Sequence, residues 1–339
     1  MHDAAPTASF RSARVTALFL FFGLVIAVGS FAQTAETYRR QAIEFSKNKS
    51  WDEAITAYHR SLQLAPNDPL THYNLALTLG YQGDTRQAVE EFQAALQLKP
   101  KWADAHYALG AAFFELQDQA SALKELRAAV TIDRANIPAH RLLARIYVQQ
   151  NDPAAAGKEL RLALQVKPSS EVHFELGLVE GQLGNLDVAA TEFRTVIRLN
   201  PRYAPAHSML GVTLRRQGDH SHALAEFRKA VELDPQDAEA QYNLGMELKA
   251  DGDAAGAIAA FRRAIQLKPE LEKAHYSLSI TLRAQGESGA AQKELQDLKD
   301  LQEFRAHLAQ AKLLIVRGVE ALKQEKLDDA LGLFQKSVE

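Results

Sequence analysis

Histidine is the residue type through which this chain could most readily do chemistry. Six of its 11 histidines, His72, His106, His140, His173, His207 and His275, recur every thirty-three or thirty-four positions, with one double interval before His275. A ladder of imidazoles at fixed spacing invites a metal site. A second cluster, His220-Ser221-His222, lies beside Asp219. Beyond these, no motif for a reaction centre stands out: there is no Gly-rich phosphate loop, no His-Glu-x-x-His helix and no Gly-x-Ser-x-Gly elbow. Asp251-Gly252-Asp253 reads as a turn and not as a calcium loop. The chain has no cysteine, which removes disulfides, thiol nucleophiles, cysteine-ligated zinc and lipid attachment through sulfur. Its net charge is −3, with 39 basic residues scattered among 42 acidic ones, so no basic stripe points to nucleic acid. The reading is of a protein that is not an enzyme and carries no cofactor.

What positions the histidines is a repeat. Pro66, Pro100, Pro168, Pro201, Pro235 and Pro269 keep the same spacing, and Arg134 stands where the proline missing from their one double interval would fall. The period is unbroken from about residue 35 to residue 301, which makes eight units. Within each unit, apolar residues at three- and four-residue spacing give two helical segments one buried stripe each. Gly83-Asp84, Gly184-Asn185, Gly218-Asp219 and Gly252-Asp253 form the turns, glycine ending the first helix and the acid or amide starting the second. Small residues at Ala88, Ala95, Ala122, Ala129, Ala223 and Ala230 allow close helix approach. A helical hairpin cannot bury both of its faces, so hairpins must stack into a solenoid. In such a stack, successive first helices are held about 8–10 Å apart or more. Two nitrogens on one zinc must lie within about 4 Å of each other. The six ladder histidines therefore read as partly buried, hydrogen-bonded packing residues, His220 and His222 as turn residues facing solvent, and the many carboxylates as solvated helix positions.

Several residues hold the same offsets in unit after unit: Leu75-Ala76, Leu79, Ala88, Phe92, Ala95 and Pro100 in the second, and Leu210-Gly211, Leu214, Ala223, Phe227, Ala230 and Pro235 in the sixth. In this the chain resembles the tetratricopeptide-repeat (TPR) family over nearly its whole length from residue 35 onward. The resemblance implies an all-α fold, a right-handed superhelical solenoid of antiparallel helix hairpins. It also implies an inner surface lined by the second, fifth, ninth, twelfth and thirteenth positions of each first helix. The fifth positions are Tyr73, Tyr107, Arg141, Phe174, Ser208, Tyr242 and Tyr276, and the ninth Leu77, Ala111, Arg145, Leu178, Val212, Met246 and Ile280. Aromatic anchors and arginines of this kind dominate protein-binding surfaces. The expected groove accordingly comprises Tyr73, Leu77, Tyr107, Arg141, Arg145, Phe174, Leu178, Arg215, Tyr242, Met246, Tyr276 and Ile280, and its ligand is a protein or peptide segment with apolar anchors and some acidic residues. A packing role for the fifth-position rings stands beside this reading. Asn74 and Asn243 are isolated, so neither a terminal-carboxylate clamp nor the asparagine ladder of sugar-transferase relatives is implied.

The ends follow other rules. Arg11 and Arg14 precede an apolar run from Val15 to Val28, and Ser30-Phe31-Ala32 offers a cleavage site, so residues 1–32 read as a signal peptide and the mature chain as periplasmic or extracellular. An uncleaved inner-membrane anchor is the alternative. Residues 35–302 are expected to hold the eight repeats. Unit five departs from the pattern, one residue shorter before it and with Glu180 at an apolar position. Residues 303–339 are expected to continue the last helix and begin a ninth unit, whose apolar edge at Leu327, Leu331 and Phe334 could dock a second copy. The expected role is a protein-interaction scaffold in assembly or maintenance of a cell-envelope complex. A membrane-tethered adaptor and the substrate-presenting part of a larger enzyme, such as a glycosyltransferase, are the alternatives.

Overall fold

The structure, a computed structural model, describes residues 35–338; the expected leader lies outside them. Among the described residues there are seventeen α-helices and no strand. Each hairpin pairs an A helix with a B helix: α1 (35–47) with α2 (Trp51–Leu64), α3 (Pro69–Gln82) with α4 (Thr85–Leu98), α5 (Ala103–Glu115) with α6 (Gln119–Ile132), and α7 (Ile137–Gln149) with α8 (Pro153–Val166). They continue as α9 (Ser170–Leu183) with α10 (Leu186–Leu199), α11 (Ala204–Arg216) with α12 (His220–Leu233), and α13 (Ala238–Ala250) with α14 (Ala254–Leu267). The eighth and ninth hairpins share a helix: α15 (Glu272–Ala284) packs on α16 (Ser288–Lys323), and α16 on α17 (Leu327–Lys336).

The turns explain why the chain reverses where it does. Gly83 ends α3 at φ 101°, a left-handed conformation costly to any residue with a Cβ, and the Asp84 carboxylate then accepts the Gln87 N–H to start α4. Asp118, Asp152, Asp219 and Asp253 cap α6, α8, α12 and α14 in the same way.

The helices meet on small residues. Ala88, Ala95, Ala122, Ala129, Ala223 and Ala230 are all buried, and Phe193, Phe227 and Phe261 fill the space between A and B helices. The Phe261 ring rests against Gly245, where an added Cβ would come within 2.6 Å of it. A glycine inside a helix costs about 1 kcal/mol relative to alanine, and here it admits the ring.

The chain forms two compact units, the first ending at Val172 and the second beginning at His173. The division falls in the first turn of α9, beside a connection of three residues (167–169) where the other inter-hairpin turns have four. Within the first unit α2 packs on α3, α4 on α5 and α6 on α7; within the second, α10 packs on α11, α12 on α13 and α14 on α15. Glu180, expected to disturb unit five, is fully buried and accepts a hydrogen bond from the Asn185 amide at 2.8 Å. Gly318 lies inside α16, pressed against Phe334.

Candidate functional site

Each of the six ladder histidines faces a carboxylate at a fixed distance downstream in the sequence. Nδ1 of His72, His106, His140, His173, His207 and His275 lies 2.6–3.0 Å from Glu91, Glu125, Glu159, Glu192, Glu226 and Glu294 on the B helix of the same hairpin. In five of them Nε2 also faces the backbone carbonyl six residues upstream, that of Pro66, Pro100, Arg134, Pro201 or Pro269, at 3.0–3.2 Å. A carbonyl only accepts, so Nε2 of these rings carries a proton. Such an imidazole ties the A helix to the B helix and to the preceding turn. With both nitrogens engaged inside the fold, it presents none to a substrate. The hydrogen-bonded packing role expected of the ladder is what the geometry shows.

The glutamates are the part that sequence reasoning missed, having read such carboxylates as solvated. The signal was present in the register. Where the ladder position is not histidine, at Tyr38 and Gln241, the residue at the glutamate offset is alanine, Ala57 and Ala260. Donor and acceptor come and go together.

His140 is the most enclosed of the six, its side chain 5% exposed. The hydrogen bond to the Glu159 carboxylate holds its pKa above the ordinary histidine value, against the opposing effect of burial. A raised folded-state pKa contributes stability that is complete below the unfolded value of about 6.5 and fades as pH rises through the folded one. Thermal unfolding followed between about pH 5.5 and 8.5 should show a stabilising contribution at the acid end that Glu159→Gln removes; identical pH profiles for the two proteins would contradict the assignment.

The second histidine cluster divides. His222 faces the Asp219 carboxylate at the surface, as a turn residue should. His220 does not simply face solvent: its Nδ1 reaches the buried Glu247 of α13 at 2.9 Å. Arg215, expected to await an acidic ligand, is also engaged inside the fold. Its Nε lies 3.6 Å from Glu247, its Nη1 donates to Asn243 at 3.1 Å, and its guanidinium sits over the Phe227 ring. One buried carboxylate gathers the Arg215 guanidinium and the His220 ring because an unpaired charge at that depth would be costly.

The candidate groove residues separate by what lies beside them. Tyr73 packs against Phe92 and Trp102, Phe174 against Phe193 and Tyr203, and Tyr242 against Phe261 with the Lys273 ammonium over its ring. Tyr107 packs beside the core between α6 and α7. These rings pack between helices and are half-buried. Leu77, Arg141 and Met246 are half-buried, whereas Arg145 and Leu178 are exposed. Tyr276 is 56% and Ile280 38% exposed. In the first unit, the ninth, twelfth and thirteenth positions of the first repeat, Ile43, Ser46 and Lys47, open with Leu77 and Tyr81 of the second onto a cavity of about 630 Å³. Tyr81 stacks on Trp51 at 5.9 Å and remains 75% exposed. The Tyr58 hydroxyl meets Ser46 and Thr78 there, and burial pushes its pKa up.

These hairpins and their offsets agree with what comparison finds. Sequence patterns described as tetratricopeptide repeat match residues 114–174, 174–238 and 208–272, and a TPR repeat pattern matches residues 42–83 and 79–117. The chain belongs to the tetratricopeptide-repeat family, whose arrays are protein-interaction modules. Among solved structures it is similar to the C-terminal part of a TPR repeat-containing protein from Cytophaga hutchinsonii, at 17% identity and a TM-score of 0.61 over 70% of this chain and 98% of that one. It is also similar to a tetratricopeptide repeat protein from Parabacteroides merdae, at 18% identity and 0.52 over 74% and 99%. For PilF of Pseudomonas aeruginosa the values are 23% and 0.52 over 61% and 94%. At these identities the likeness is one of fold. No curated protein matches the chain. Among the described residues, no helix is long and apolar enough to cross a membrane.

Proposed function

We propose that the array is a non-enzymatic scaffold that holds an extended or helical segment of a partner protein against the inner positions of its A helices. The observation that carries this reading is the open cavity between the first two hairpins. There the inner positions are not filled by packing, and the exposed Tyr81 stands on Trp51 as a ready apolar anchor. Aromatic side chains of this kind bury much area with few rotors. Lys47 and Lys49 at the rim favour an acidic residue beside the partner's apolar anchor. The leader expected at residues 1–32 supports a cell-envelope setting, in which the scaffold would serve assembly or maintenance of an envelope complex.

The test is quantitative binding. A partner recovered from envelope extract is titrated against the full chain and against Tyr81→Ser, an exposed substitution that leaves the fold intact. Loss of an anchor at a desolvated contact is expected to weaken binding about tenfold or more. Equal affinity for both proteins would place the contact elsewhere.

A further inference from the structure

The cavity between the first two hairpins has a floor that is short of protons. The Ser46 hydroxyl donates to the Ala42 carbonyl and the Thr78 hydroxyl to the Asn74 carbonyl, both at 2.9 Å, each one turn back along its own helix. The two hydroxyl oxygens also lie 2.9 Å from each other, and the Tyr58 hydroxyl meets both. A hydroxyl brings one proton and two lone pairs. Three hydroxyls therefore supply three protons to five contacts, and two of those contacts go without. The cluster is rich in lone pairs and has no donor to spare. Tyr58 and Thr78 are each 2% exposed, so the half-buried Ser46 is the member best placed to meet a group entering the cavity.

The wall and the rim narrow what that group can be. Trp51 and Tyr81 stack at an interplanar angle of 17°, and Tyr81 is still 75% exposed, so ring area remains for another flat side chain. The rim is basic. Lys47 is engaged only loosely, 3.6 Å from Glu44 at the surface, and Lys49 has no acidic partner among the described residues. A cationic donor, lysine or arginine, would be repelled there. A phenol donates, but it adds an oxygen with lone pairs to a floor already rich in them. An indole N–H donates and accepts nothing. At about 630 Å³ the cavity lies in the range that takes a group of that size.

We propose, resting on the binding face assigned to this cavity, that the partner's anchor here is a tryptophan side chain. Its indole N–H donates to Ser46 Oγ, its ring lies against Tyr81, and an acidic residue beside it meets Lys49. Phenylalanine would fill the same space and leave the floor without its donor. The selectivity of the site thus comes from the hydroxyls beneath the rings and not from the rings alone.

The test uses an acetylated, amidated tripeptide Glu-Trp-Glu carrying 5-fluorotryptophan, its fluorine line followed as the full chain is added. Unlabelled tripeptides then compete with it. One holds tryptophan, and the other benzothienylalanine, a ring of the same shape in which sulfur replaces the N–H. The tryptophan peptide should compete about tenfold better, the worth of one hydrogen bond. Ser46→Ala should erase that preference by weakening the tryptophan peptide alone, with helicity unchanged by circular dichroism. Lys49→Gln should weaken Glu-Trp-Glu and leave Gln-Trp-Gln as it was. Equal competition by the two rings, a preference that survives Ser46→Ala, or binding of neither peptide would overturn the tryptophan assignment. Whether this face binds the natural partner at all is decided separately by Tyr81→Ser. A partner that depends on Tyr81 beside tryptophan peptides that fail would overturn this inference alone.

Discussion

Phe261→Ala is expected to destabilise the second unit by about 3–5 kcal/mol, the range for removing a fully buried aromatic ring. The ring is 0% exposed and fills the space between α13 and α14, resting on Gly245 and beside Tyr242. Its surroundings include Leu224, Leu248, Leu278 and Leu282, which belong to three successive hairpins. The neighbours cannot collapse into the gap without losing their own registry, because the small residues that bring the helices together fix the axes. In a stacked array, stability is close to a sum of hairpin and nearest-neighbour contributions. The loss should therefore appear first as faster amide exchange in α11–α15, with α3–α6 unaffected, and as a lower urea midpoint. A shift below about 1 kcal/mol would mean that the ring is not the keystone of its hairpin.

Glu159→Ala should cost about 2 kcal/mol, because it leaves the enclosed His140 ring facing an empty acceptor site. The more telling protein is the double variant His140→Gln with Glu159→Ala, which copies into hairpin four the pair that hairpin seven already carries, Gln241 and Ala260. Removing both partners of a buried polar pair is far less costly than removing one. The double variant is thus expected to return to within about 1 kcal/mol of the parent. Additive losses in the two single variants and the double would show that the residues are neighbours without being a pair.

The contrast between these two sites shows what a sequence displays and what it conceals. The hairpin period was legible because proline, glycine and alanine each have one physical reason to be where they are: an inter-hairpin stop, a left-handed turn and a close helix contact. Gly83, Gly184, Gly218, Gly252 and Gly286 all have positive φ. Lys49, Gln117, Asn151 and Glu325 adopt the same conformation without glycine, held there by the hairpins they join. The glutamates of the ladder were hidden because glutamate on a helix is usually solvated, and only its fixed distance from histidine sets it apart. Arg215 was expected to await a ligand for a related reason: it is held by Glu247, a buried acid at a position where hairpins two, six and eight carry Thr78, Thr213 and Thr281. His220 stays exposed, as read, while its Nδ1 reaches the same carboxylate.

The candidate groove was legible as a set of positions but not as a surface. Whether a fifth-position ring is a spacer or an anchor depends on the bulk of the next hairpin. Trp102 and Tyr203 close over Tyr73 and Phe174. Tyr276 is left 56% exposed on the last hairpin of the stack. The size and shape of a neighbour's side chain, and not the repeat itself, decide where the inner face is open.

The most direct test of a binding face on the A helices is site-specific photo-cross-linking in the cells that make the protein. A benzophenone side chain is placed at Tyr81, in the cavity of the first two hairpins, and in a separate protein at Gln93, on the exposed side of α4. The account predicts a discrete adduct from position 81 and none from position 93. No adduct at 81, or the same adduct from both positions, would contradict it.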